Sequence, residues 1–126
     1  MILSNIGLRM GGASRAVFAA QGVFLLGNAF YTILYPSSAA NLPNSSLRGA
    51  PNGVVQCIGL TSFTLGTYYL ISAYQRNSAI MAASVPSRFV AAFVMYQAGE
   101  NWIPVSAFEI SMGIVAGAAL LWDRCI

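Results

Sequence analysis

A chain of 126 residues has the size of one domain, and with 57% hydrophobic and 7% charged residues it cannot cover a water-facing surface, where about a quarter of positions carry charge. The net charge of +3 comes from six arginines against Glu100, Glu109 and Asp123, without a basic stripe, which sets nucleic acid aside. Histidine and lysine are both absent, which excludes His-ligated haem, zinc and iron, a histidine general base and a lysine Schiff base.

The expected solvent is lipid, and the chain is expected to be an all-α integral membrane four-helix bundle in a single domain. Residues 1–14, with Arg9 and Arg15 bracketing glycines, lack the apolar core and small-residue cleavage site of a signal peptide and are expected to be retained. The first span, about 16–35, is long enough for a hydrocarbon core of roughly 30 Å, and Pro36 stops it, with Tyr31 and Tyr35 at the interface. Residues 37–52, with Pro43, Pro51 and several Ser and Asn, read as an ordered loop without helix.

A second span, about 53–74, ends in an aromatic and polar belt of Tyr68, Tyr69, Tyr74, Gln75 and Arg76. The third must begin near Ser78, with Asn77 as its N-cap, because the apolar run from Phe89 to Gly99 is too short to span alone. That start places Pro86 and Arg88 near mid-span. In the alternative, Pro86 breaks the segment, leaving 78–85 interfacial and Arg88 snorkelling to the headgroups. The fourth span, about 103–122, carries Glu109 roughly two turns from its start.

Arg9, Arg15, Arg76 and Arg124 flank one side and Arg48 with Glu100 the other, which predicts cytoplasmic N- and C-termini. The Asn44-Ser45-Ser46 sequon then falls on the opposite side, a topology suited to the endoplasmic reticulum of a eukaryotic cell. Cys57 and Cys125 belong to no CxxC pair. No glycine-rich nucleotide loop and no metal-ligand pattern is present, and no cofactor is expected, although a diffusible one is left open.

Two opposite charges inside the lipid must find partners, and Arg88 and Glu109 are close enough in depth to pair. The pair reads either as a structural lock between the last two helices or as a reactive site. Gln21 and Asn28, seven apart, and Gln56, Thr61, Thr64 and Thr67 read chiefly as interhelical hydrogen-bonding groups. Gly113 and Gly117, a GxxxG on the Glu109 face, predict close packing within the bundle or between copies, making a homo-oligomer possible.

The runs Tyr69-Leu70-Ile71-Ser72-Ala73-Tyr74-Gln75-Arg76-Asn77, Ser84-Val85-Pro86-Ser87-Arg88 and Phe108-Glu109-Ile110-Ser111-Met112-Gly113 resemble small DoxX-like four-helix membrane proteins, including fungal ones encoded beside natural-product enzymes. The resemblance covers the last two thirds of the chain, implies a compact four-helix bundle, and singles out Arg88 and Glu109.

Two functions are expected. In one, the chain is an enzyme acting on a lipophilic small molecule of terpenoid or polyketide type, by acid–base isomerisation, cyclisation or epoxide opening. Glu109 is then proton donor or base, and Arg88 orients it or stabilises negative charge. Asn28, Gln56, Thr64, Tyr68, Tyr96 and Trp102 are the candidate substrate-binding residues, with Glu100 beside Trp102 in reserve and Asp123 solvated at the interface. In the other, it is a non-catalytic membrane subunit, carrier or scaffold whose Arg–Glu pair and GxxxG face serve packing and partner binding.

Overall fold

The computed structural model describes residues 11–43 and 45–125, so Arg9 and the Asn44 sequon lie outside the described residues. Four helices are long and apolar enough to cross a membrane. They are α1 (Gly12–Leu34), α3 (Asn52–Gln75), α4 (Ser78–Gln97) and α5 (Ile103–Cys125), the last preceded by a 3₁₀ turn (Glu100–Trp102). The loop expected after α1 contains a short helix, α2 (Pro36–Ala40). Proline fixes φ where a first helical turn needs it and lacks only an N–H that would go unpaired there, so Pro36 ends one helix and starts the next.

Local chemistry sets the remaining boundaries. Arg76 takes a left-handed φ of 55°, and the Asn77 N–H returns to the Ser72 carbonyl at 2.9 Å. The Asn77 side chain then accepts from the Ile80 N–H, so two residues close α3 and cap α4. Gly99, at φ 121°, turns the chain into the 3₁₀ segment through backbone space that side chains avoid.

Helix α4 runs unbroken through Pro86. The break that would have left Arg88 snorkelling does not occur. The serine hydroxyls of Ser84 and Ser87 bond the Met81 and Ala83 carbonyls on either side of the one that Pro86 leaves free, and such groups make proline tolerable inside a membrane helix.

The chain folds up and down, with α1 packed closely on α3, α4 on α5, and α1 also along α5. The α1–α3 seam is the tightest. A Cβ on Gly66 would stand 2.9 Å from the Gly22 carbonyl oxygen, one on Gly22 would stand 3.0 Å from that of Gly66, and one on Gly59 would collide with Thr32. Glycines here let two backbones approach as in small-residue membrane seams. Gly66→Ala is expected to cost about 1–3 kcal/mol through overpacking against backbone, read as a lower midpoint of SDS unfolding. Gly27→Ala, which faces open space, should leave that midpoint unchanged.

Both ends of the bundle sequence meet. Gly11 offers no side-chain cap to α1; the Asp123 carboxylate of α5 supplies it, accepting from the Ser14 N–H at 2.7 Å and the Ala13 N–H at 3.3 Å. Asp123 is therefore a helix cap, favoured by the positive end of α1, and not simply a solvated interfacial charge. A Cβ on Gly11 would lie 2.6 Å from the carboxylate carbon, so a larger residue there would push the Asp123 side chain aside.

Burial divides the bundle in two. The end carrying the termini is filled by Phe18, Leu25, Tyr69, Ala73, Met81, Ala116 and Ala119. Tyr69, expected in the interfacial belt, belongs to this core, stacked on Phe18 with ring centres 4.0 Å apart. Toward the loop end, the buried positions of the four long helices include Ala29, Thr32, Gly59, Ala92 and Ser106, all small, while Val55 packs under the loop with Ala39 and Ala40. The outer faces carry exposed Phe24, Leu34, Leu60, Val90, Phe93 and Ile114, a lipid-facing coat.

Candidate functional site

Arg88 and Glu109 meet where the filled half of the bundle gives way to the loop-side half. Arg88 shares a helical face with Met81 and Ala92, and lies about 15 Å along α4 at 1.5 Å per residue. Its Nη1 donates to Glu109 Oε2 at 2.7 Å, with side chains 7% and 18% exposed, a charge-assisted bond of the short, strong kind. The guanidinium carbon lies 5.3 Å from the centre of the Tyr69 ring, within cation–π range. Gly113 makes the approach possible, because a Cβ there would stand 3.2 Å from Arg88 Cβ.

The pair is joined by one N–H···O contact, not by the two parallel bonds of a fork. Arg88 Nε is buried without a hydrogen-bond partner. Among the described residues, Glu109 makes no further side-chain hydrogen bond, which leaves its Oε1 free to meet a ligand or water. A bidentate pair would have satisfied more of these groups.

Side-chain hydrogen bonds also join the helices elsewhere. Gln21 donates from α1 to the Met112 carbonyl of α5 at 3.3 Å, Ser106 bonds the Ala92 carbonyl at 2.7 Å, and Gln56 donates to the Ile33 carbonyl at 3.1 Å. Gln21 and Gln56 thus act across helices, as their positions predict. Thr61, Thr64 and Thr67 do not, since each hydroxyl bonds the carbonyl four residues earlier in its own helix. A back-bonded hydroxyl has its donor occupied before any neighbour arrives.

The other candidate binding residues do not converge on the pair. Thr64 is exposed on α3, Tyr68 and Tyr96 are 59% and 65% exposed, and Trp102 is half-buried in the 3₁₀ turn. Glu100 is exposed. Asn28 differs from these: its Nδ2 reaches across to Ser62 Oγ of α3 at 3.5 Å. Gly117 stands 3.7 Å from Val85, and Gly113 faces Arg88 and Phe89, so the GxxxG face is occupied by α4 of the same chain. Tyr69 and Ser62 were missed by the sequence reading; their spacing from Gly66, three and four residues, was the available signal.

Comparison with protein-family models, curated proteins and solved structures found no match for this chain. The resemblance to DoxX-like proteins gains no support from these comparisons.

Proposed function

We propose that this chain is a membrane enzyme acting on a lipophilic small molecule, with Glu109 as the acid–base group and Arg88 as its electrostatic partner. The observation that carries this reading is a singly bonded, largely buried Arg88–Glu109 pair standing where the core of Phe18, Tyr69 and Met81 ends. A lipophilic molecule entering from the bilayer fits an apolar site with few convergent polar groups. The Glu109 carboxylate takes a proton from the carbon between a carbonyl and a carbon–carbon double bond, the Arg88 guanidinium stabilises the negative charge gathering on the carbonyl oxygen of the dienolate, and the proton returns at the far end of the double bond, which moves into conjugation. Such an isomerisation balances without a cofactor; cyclisation and epoxide opening use the same two groups. The arginine distribution supports cytosolic termini, and the endoplasmic reticulum is the proposed membrane.

A packing role is the second reading, favoured by the fit of Arg88 between Gly113 and the Tyr69 ring. On that reading the chain is a subunit, carrier or scaffold resembling small DoxX-like proteins. The test is conversion of candidate lipophilic ketones and epoxides by membranes carrying wild type or Glu109→Gln at matched levels of folded protein. Loss of conversion in the folded variant supports the enzyme; conversion that survives the substitution removes Glu109 from the chemistry.

A further inference from the structure

Asn28 is an exposed amide inside a membrane span, and exposure to hydrocarbon would be costly for it. Its position on the helix says where it faces. Gln21, seven residues earlier on the same face, bonds α5, and Asn28 itself reaches toward Ser62 of α3. The opposite flank of the α1–α3 seam is closed by Phe30 against Phe63, edge to face. Asn28 therefore stands on the flank of the seam that Gln21 shares, opposite the Phe30–Phe63 contact, in the loop-side half of the bundle.

Its contact to Ser62, at 3.5 Å, is longer than a well-formed N–H···O bond, and its Oδ1 has no partner among the described residues. The depth of Asn28 relative to Glu109 follows from the Gln21–Met112 bond. Asn28 lies seven residues beyond Gln21 and Glu109 three residues before Met112, both toward the loop end. At 1.5 Å per residue, Asn28 is about 6 Å nearer that end than the carboxylate.

Resting on the enzyme reading above, we propose that the substrate is a neutral, bifunctional lipophile, with a reacting carbonyl at Glu109 and a hydroxyl or second carbonyl offset from it by about 6 Å along the bundle axis and held by Asn28 and Ser62. Neutrality follows because Glu109 already balances the charge of Arg88. An asparagine amide offers both a donor and an acceptor, so it accommodates either oxygen function.

The probes are 2-tetradecanone and 7-hydroxy-2-tetradecanone, the second carrying its two oxygens on carbons five bonds apart. Binding is read from Trp102 fluorescence in a Trp122→Phe background in lipid nanodiscs. The hydroxyketone is expected to bind about tenfold more tightly than the plain ketone, the worth of one net hydrogen bond. In Asn28→Leu that advantage should fall below about twofold on the same scale, with Ser62→Ala as a second variant that leaves the α1 helix untouched. Equal binding of the two ketones to wild type overturns the bifunctional substrate while leaving the enzyme reading in place. Binding of neither ketone overturns both. An advantage that persists in both variants overturns the assignment to Asn28 and Ser62.

Discussion

Arg88→Met is expected to be the most destabilising single substitution at the site, costing about 3–5 kcal/mol, the usual range when one partner of a buried ion pair is removed. The cause is the carboxylate left behind: Glu109 is 18% exposed and its described counter-charge is Arg88. The variant also gives up the guanidinium over Tyr69. SDS unfolding in mixed micelles measures the loss. Arg88→Met with Glu109→Leu should recover most of it, because well-packed apolar residues commonly replace a buried pair at little cost. A double variant as unstable as the single one would contradict the ion pair as the source.

Glu109→Gln is expected to lower turnover about 10²–10⁴-fold, the usual contribution of a positioned acid–base group, and to lower stability as well, since the Arg88 charge loses its counter-charge though not its hydrogen bond. Glutamine keeps the length of the side chain and a carbonyl oxygen to accept from Arg88 Nη1, now bonded at 2.7 Å to Oε2. What it cannot do is take up or deliver a proton. Single-turnover conversion in nanodiscs, compared at equal folded protein, separates this loss from any loss of fold.

The four long apolar helices were legible because apolar runs near the length of a bilayer have few other uses, and Asn77 and Pro36 mark helix ends through chemistry that any chain obeys; the short helix Pro36–Ala40 was not, since its residues carry the Pro and Ser of a loop. The meeting of Arg88 and Glu109 was legible for a similar reason, since charges in lipid must find each other. Other features depend on which face a helix presents. Gly113 and Gly117 drew attention as a GxxxG, yet the closest backbone approach is Gly22 to Gly66, whose glycines lie far apart in sequence and form no motif. Tyr69 and Tyr68 are neighbours of the same type, one in the core and one 59% exposed, a difference set by 100° of rotation and by what α1 places opposite. Asp123 capping α1 joins the two ends of the chain, beyond the reach of local pattern.

Exchanging the two charges distinguishes a chemical Arg88–Glu109 pair from a mere fastening between α4 and α5. The double variant Arg88→Glu with Glu109→Arg retains an ion pair between the same helices but moves the carboxylate to α4. If the pair is chemical, this variant is folded and monodisperse but no longer converts a lipophilic substrate turned over by wild type. A folded exchange variant with wild-type conversion would contradict the chemical reading and leave the pair a structural fastening.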